Sequence, residues 1–275
     1  MLTTKQIIKK HNLVASKSLG QNFLLNPVLL DKIVAQCDFV ENENILEIGT
    51  GPGGLTHSIL KKNPKKLVTV DIDKKCIEAV KAEFSANMNL YPVLANAVEI
   101  DERNLFENEP FSIISNLPYN IGTVLLFKWI KNCLPQLKQM VFLLQKEVVE
   151  RIIAKSGTRD YGKVSVLCQY IGSTRKCFDI QNTAFFPPPK ITSSVVKLTV
   201  KHNQDFSIIE HLSSIVVTSF SQRRKTLFNN LKTLDIETSK IFEKLGFHQN
   251  IRPENLSVDD FVALTKEIIK YTIIK

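Results

Sequence analysis

The run Ser-Asn-Leu-Pro-Tyr-Asn at 115–120 sets an amide, a carbonyl beside a proline and a phenol ring side by side, directly after the apolar run 111–114. The Asn116 side-chain oxygen and the Leu117 backbone carbonyl are two hydrogen-bond acceptors. Pro118 fixes the turn, and Tyr119 offers a flat face on which a base can stack. Such a group suits methyl transfer to the exocyclic amine of an adenine. The lone pair of that amine is delocalised into the ring and is a poor nucleophile; two acceptors holding its hydrogens favour the pyramidal, attacking geometry. Positioning and fixed dipoles lower the barrier without a strong base, and stacking one base contributes roughly 1–3 kcal/mol. The same residues also suit an ordinary turn, so their meaning depends on what surrounds them.

Upstream, Glu-Ile-Gly-Thr-Gly-Pro-Gly-Gly at 47–54 follows one apolar run and precedes a helical pattern. Gly49, Gly51 and Gly54 satisfy G-x-G-x-x-G, which lets backbone pass close to a ligand while a helix N-terminus presents free N–H groups. Asp71 comes about twenty residues later, where an acid grips ribose hydroxyls at the end of a second strand. This pattern fits a nicotinamide cofactor, a flavin or S-adenosylmethionine. Glu47, which makes the motif E-x-G-x-G, and the long segment before the first strand favour the last. Asn96, at the end of a third strand pattern, is an acceptor for an adenine edge or else a turn residue.

The elements that must position these groups alternate. Asn26 as cap and Pro27 at the first helical position start a helix expected to run to about Asp38. Asn-Ile-Leu-Glu-Ile at 44–48, Lys-Leu-Val-Thr-Val-Asp-Ile at 66–72, residues 90–95, 111–115 and 139–145 read as strands, the third demoted by Pro92. Helical patterns lie between them at 74–84 and 121–132. The expectation is an α/β fold, a doubly wound and mostly parallel sheet covered on both faces. The β-rich runs 173–182 and 191–200 read as an antiparallel pair closing the sheet edge. Beyond residue 205 only helical periodicity remains, with apolar residues at 208, 209, 212, 215, 216 and 220. Ser257 with Asp260 forms a capping box for the last helix. Two domains are expected, 1–202 and a smaller all-α domain 203–275.

Composition limits the partners. With 36 Lys and Arg against 27 Asp and Glu, the net charge of +9 points to a polyanion. The charge is clustered: Lys5, Lys9, Lys10 and Lys17 stand in an acid-free first thirty residues, a second zone spans 151–201, and Gln-Arg-Arg-Lys occupies 222–225. That start lacks arginine and is poor in serine, unlike an organellar presequence. No run of eighteen apolar residues suggests a membrane span. Cys37, Cys76, Cys133, Cys168 and Cys177 form no CxxC pair and read as reduced thiols, and the five histidines are scattered, so no metal site is expected.

Ser-Leu-Gly-Gln-Asn-Phe-Leu (18–24), Glu-Ile-Gly-Thr-Gly-Pro-Gly-Gly-Leu-Thr (47–56), Ser-Asn-Leu-Pro-Tyr-Asn, Leu-Gln-Lys-Glu-Val-Val-Glu-Arg-Ile (144–152), Tyr-Gly-Lys-Val-Ser-Val-Leu-Cys-Gln-Tyr (161–170), Phe-Phe-Pro-Pro-Pro-Lys-Ile-Thr-Ser-Ser-Val-Val (185–196) and Phe-Ser-Gln-Arg-Arg-Lys-Thr-Leu-Phe-Asn-Asn-Leu (220–231) occur in this order. In these motifs the chain resembles the small-subunit ribosomal RNA adenine dimethyltransferases over nearly its whole length. The resemblance implies a Rossmann-like fold and S-adenosylmethionine as cofactor. It implies conversion of two adjacent adenosines in a hairpin loop near the 3′ end of that RNA to the N6-dimethyl form, late in ribosome assembly. It further implies that Asn22 and Leu24 touch the cofactor from the N-terminal arm, that Gly49 and Gly51 cradle it, that Asp71 holds the ribose, and that Asn96 meets the adenine. Asn116 borders both cofactor and target base, and Phe185 is the second aromatic face opposite Tyr119. The family usually carries aspartate where this chain has Asn96; an amide still accepts from an adenine amine, but without charge assistance. Lys17, Arg223, Arg224 and Lys225 are candidate phosphate contacts, the last three expected to begin a helix. A cytoplasmic monomer acting on a pre-ribosomal 30S particle is expected. A large-subunit RNA methyltransferase, a nicotinamide oxidoreductase and a non-catalytic assembly factor are the alternatives.

Overall fold

The computed structural model describes residues 2–132, 135–234 and 236–273. Cys133 lies outside these residues; Cys37, Cys76, Cys168 and Cys177 are free thiols. The strands are β1 (Phe23–Leu24), β2 (Asn44–Ile48), β3 (Lys66–Asp71), β4 (Leu90–Leu94), β5 (Phe111–Asn116), β6 (Leu137–Gln145), β7 (Gly172–Ile180), β8 (Phe185–Phe186) and β9 (Ser193–Val200). The helices are α1 (Thr4–Lys10), α2 (Pro27–Val34), α3 (Gly54–Leu60), α4 (Lys74–Glu83), α5 (Gly122–Asn132), α6 (Lys146–Ile153), α7 (Lys163–Ile171), α8 (Ile209–Ser219), α9 (Leu227–Leu231), α10 (Thr238–Leu245) and α11 (Val258–Ile273).

The main sheet runs β4-β3-β2-β5-β6-β9-β7 among the described residues. The first five of these are parallel, with Ile45 opposite Leu67 on one side and Ser112 on the other. β9 runs antiparallel to β6, with Val196 opposite Phe142. From β2 the chain winds outward to β3 and β4, then returns to β5 and winds the other way. The strand order therefore reverses between β2 and β5, and a crevice opens there beyond the carboxyl ends of the strands. A parallel sheet covered on both faces needs unbroken apolar strands, and β2 is buried at every residue. Each fully buried Leu or Ile contributes roughly 1.5–3 kcal/mol. β4 carries Pro92 and is half exposed because it is the edge strand, where a missing N–H costs no ladder bond.

Asn26 caps α2 by accepting from the N–H groups of Val28 and Leu29. The helix ends at Val34, short of the expected Asp38. The Asp38 N–H donates to Gln139 Oε1 at 3.1 Å, its carbonyl accepts from Gln139 Nε2 at 2.6 Å, and its carboxylate pairs with Lys197. Tertiary bonds thus take the backbone groups that one more helical turn would need.

The chain divides into two compact units, Met1–Val149 with Arg175–Val200 and Glu150–Thr174 with Lys201–Lys275. This differs from one crossing near residue 202, because residues 150–174 belong with the helical unit. α7 buries Val166, Leu167 and Ile171 and packs on α8 and α11. Gln169 Nε2 donates to the carbonyls of Ile152 and Ala154, and the rings of Tyr161, Phe220 and Phe261 follow one another in the core. In α11 the Ser257 and Asp260 caps are reciprocal, at 2.8 and 3.1 Å. Residues 223–225 do not begin a helix as expected; they form the exposed turn before Thr226, whose hydroxyl accepts the Asn229 N–H and caps α9. Among the described residues no helix is long and apolar enough to cross a membrane.

Candidate active site

At the β2–β5 crevice a cavity of about 340 Å³ is lined by residues 19–23, 48, 49, 51, 70–72, 95–98 and 116–121, all within the first unit. Its size suits a nucleoside-bearing small molecule. Gly49 and Gly51 adopt φ of +79° and +50°. A Cβ on Gly51 would stand 3.2 Å from the Phe23 ring, and one on Gly49 3.3 Å from Pro118. Both conformation and space therefore demand glycine, and the bare backbone forms part of the cavity wall.

Asp71 ends β3 beside this loop. Its Oδ2 accepts the Gly51 N–H at 3.0 Å and its Oδ1 the Asp73 N–H at 2.9 Å. Burial pushes its carboxyl above the ordinary carboxylate range, against the pull of these two donors. Asp71 thus fastens the glycine loop to β3 while each oxygen keeps a lone pair for a further donor. Glu47 is not part of the wall. It is fully buried beneath the loop, Oε2 accepting from the Thr56 hydroxyl at 2.6 Å, and burial pushes its carboxyl up to about 8. Its Oε1 has no partner among the described residues.

On the opposite wall Ser115 donates to the Ile48 carbonyl at 2.5 Å and ties the end of β5 to the end of β2. Asn116 Nδ2 donates to the Asn22 carbonyl at 3.2 Å. That bond settles which end of the amide is which: the nitrogen is spent on the N-terminal arm, and Oδ1 remains as the acceptor. The Pro118 carbonyl takes the N–H groups of Ile121 and Gly122, which closes the turn into α5. The Leu117 carbonyl receives no backbone bond among the described residues. Tyr119 is anchored through its hydroxyl to Ser193 of β9, and burial holds its phenol above its usual value. It is therefore a neutral ring at a fixed position and not a base.

Of the other expected residues, Asn22 reaches the cavity but folds its Nδ2 onto the Gly20 carbonyl. Asn96 also lines it. Lys17 is exposed in the turn leading to the wall, and Arg223, Arg224 and Lys225 are exposed in the second unit, Arg223 donating to the Arg159 carbonyl. Two of the expected residues, Leu24 and Phe185, are not among those that line the cavity. Leu24 and Phe185 lie opposite each other in the β1–β8 pair, are 3% and 4% exposed, and belong to the hydrophobic core. Successive strand residues face opposite ways, so the ring that is presented outward is Phe186, 54% exposed and opposite Phe23. Sequence reasoning also missed a clamp behind the part of the cavity wall formed by residues 95–98. Lys128 Nζ donates to the carbonyls of Ala97 at 2.7 Å and Ile100 at 2.5 Å and to Glu102 Oε1 at 2.8 Å. Trp129 Nε1 donates to the same Glu102 oxygen at 2.7 Å. The chain's single tryptophan beside a lysine was the one available signal.

A doubly wound sheet with a glycine loop, an acid at the end of β3 and Asn-Leu-Pro-Tyr at the end of β5 defines a Rossmann-like, S-adenosylmethionine-dependent methyltransferase. The model of the ribosomal RNA adenine dimethylase family matches residues 12–270. The chain is 39% identical over 264 residues, 94% of each chain, to the ribosomal RNA small subunit methyltransferase A of Zymomonas mobilis. The crystal structure of a dimethyladenosine transferase from Plasmodium falciparum superposes with a TM-score of 0.78 at 28% identity, covering 90% of this chain and 97% of that one. A 23S rRNA methyltransferase, at a TM-score of 0.68 and 18% identity over 90% of this chain and all of the other, shares the fold alone. The chain belongs to the ribosomal RNA adenine dimethylase family.

Proposed function

We propose that the protein dimethylates N6 of two adjacent adenosines in the hairpin loop near the 3′ end of small-subunit ribosomal RNA, within a pre-ribosomal particle, as a cytoplasmic monomer. S-adenosylmethionine supplies a methyl group on a sulfonium, which departs as a neutral thioether when the amine attacks. The residues present fit that cofactor. The glycine loop offers a cradle that a Cβ would fill, Asp71 faces the ribose, and the Ala97 N–H, unpaired in the backbone network among the described residues, is free for an adenine ring nitrogen.

The observation that carries the reading is the orientation of Asn116. With Nδ2 held by the Asn22 carbonyl, Oδ1 and the neighbouring Leu117 carbonyl form a pair of acceptors for the two amine hydrogens. Holding those hydrogens out of the ring plane returns the lone pair to nitrogen and aims it at the methyl group. Stacking on Tyr119 keeps the base extruded from its RNA neighbours, and the proton released after transfer leaves to solvent. Phe186, exposed and opposite the cavity-lining Phe23, would serve as the second aromatic in place of Phe185. After one methylation a single hydrogen remains, and either acceptor can hold it for the second round. Lys17 and residues 223–225 supply phosphate contacts that set affinity without reading sequence.

The test is transfer of labelled methyl to small-subunit RNA, with the modified positions mapped by primer extension. Asn116→Ala is expected to abolish transfer while leaving RNA affinity within about twofold, because a group acting only in the transition state does not affect binding. Undiminished turnover would refute the assignment.

A further inference from the structure

Asn230 of α9 is buried, and its amide is spent on backbone outside its own helix. Nδ2 donates to the Ser219 carbonyl at 2.6 Å and to the Gln222 carbonyl at 3.3 Å. Ser219 is the last residue of α8, where a helix leaves carbonyls without an N–H of its own to receive. Gln222 opens the exposed turn that carries Arg223, Arg224 and Lys225. With both hydrogens of Nδ2 used, Oδ1 stays buried with no partner among the described residues. An apolar side chain would avoid that desolvation cost, so filling the core does not by itself call for an amide here. What the amide does is pin the backbone that enters the turn. The Lys225 N–H meets the same Gln222 carbonyl at 3.0 Å and closes the turn. On the outer side Arg223 donates to the Arg159 carbonyl, which leaves most of its five N–H groups for other acceptors. Three neighbouring positive charges repel one another, and a turn without these ties would spread them.

Building on the reading that this turn meets RNA phosphates, we propose that Asn230 is a positioning residue for RNA binding. It holds the 219–222 backbone in the arrangement that gathers Arg223, Arg224 and Lys225 on one turn before RNA arrives, and it does not touch RNA itself. Ordering the turn in advance removes the cost of ordering it from the binding step. The orphaned oxygen is the by-product of using both amide hydrogens on the turn.

The experiment is filter binding of the small-subunit RNA hairpin to the full chain over a salt series, with methyl-transfer kinetics on the same proteins. Asn230→Ala is expected to weaken RNA binding about tenfold, the size of one charge-assisted contact, and to lower the salt slope by about 0.7–0.9, one phosphate. KM for RNA should rise while kcat at saturating RNA and the affinity for S-adenosylhomocysteine hold, as for a loss of uniform binding. The deciding measurement repeats the substitution in a chain carrying Arg223→Gln and Arg224→Gln. If Asn230 acts through those arginines, Asn230→Ala should there weaken RNA by no more than about twofold, because the two changes share one effect. Gln222→Gly is the second variant. It lies at an exposed position, keeps every charge and Asn230, and loosens the same backbone, so it should also weaken RNA even where Asn230→Ala fails to fold. A full tenfold loss in the arginine-free chain would mean that Asn230 only stabilises the helical unit. That result, unchanged RNA affinity in Asn230→Ala, or unchanged affinity in Gln222→Gly overturns the proposal and leaves the phosphate reading intact. An arginine-free chain that binds RNA as the unsubstituted protein does would overturn both.

Discussion

Replacing Lys128 with methionine removes one ammonium and keeps most of the side chain's apolar volume. Lys128 is 13% exposed, and its Nζ bonds two carbonyls of the 97–100 segment and the buried Glu102 carboxylate. Breaking one partner out of a buried ion pair costs about 3–5 kcal/mol, because the remaining charge stays in the interior. The two carbonyl bonds each carry roughly 1.5–3 kcal/mol from a charged donor. They are not additive with the pair, since the same ammonium makes all three. We therefore expect a loss of about 3–5 kcal/mol in the first unit, or a fall in Tm of about 10 °C. Trp129 is the only tryptophan and donates to the same Glu102 oxygen, so its fluorescence reports urea unfolding at the clamp itself. Because Ala97 and Val98 line the cavity, S-adenosylhomocysteine should also bind about tenfold more weakly, the effect of one misplaced hydrogen bond. Lys131→Met, at an exposed position of the same helix, is the control and should stay within about 0.5 kcal/mol. A Lys128→Met protein as stable as that control would refute the reasoning.

Glu47 binds its proton more tightly folded, at about 8, than unfolded, near 4.5, so its contribution to stability is complete at low pH and is lost as pH rises through that window. Glu47→Gln should therefore flatten the Tm profile between pH 5 and 8 and be the more stable protein at the alkaline end, as scanning calorimetry would show; parallel profiles would contradict it. Phe185→Ala should cost about 3–5 kcal/mol as a core cavity, while Phe186→Ala should leave urea unfolding within about 0.5 kcal/mol and lower kcat/KM for RNA. The reverse pattern would restore Phe185 to the site. Neutralising Arg223 and Arg224 should reduce the slope of log affinity against log salt by about 0.7–0.9 for every phosphate that is no longer neutralised, read by filter binding; an unaltered slope would exclude them.

What could be read from sequence was local. The glycine loop, Asp71 and Asn116 through Tyr119 are each defined by a few neighbouring residues, and the crevice follows once β2 and β5 are seen to be apolar runs of a parallel sheet. What could not be read depends on register or on distant partners. Phe185 and Phe186 have the same chemistry, and only the pairing of Phe186 with Phe23 decides which one faces inward. Residues 150–174 precede two sheet strands in sequence, yet their apolar face fits α8 and α11. Lys128 meets Glu102 across 26 positions, and no spacing rule links them. Asn96 reads as an acceptor until Val98 and Glu99 are seen to occupy both ends of its amide.

The central claim is that a fixed amide oxygen and a backbone carbonyl, without a titrating base, prepare the adenine amine for attack. It is tested most directly by a crystal structure of the protein with S-adenosylhomocysteine and the target RNA hairpin. The expected result is an extruded adenosine stacked on Tyr119, with N6 at about 2.9 Å from both Asn116 Oδ1 and the Leu117 carbonyl. An amine held instead by a carboxylate, or Asn116 turned away with its nitrogen toward the base, would contradict it.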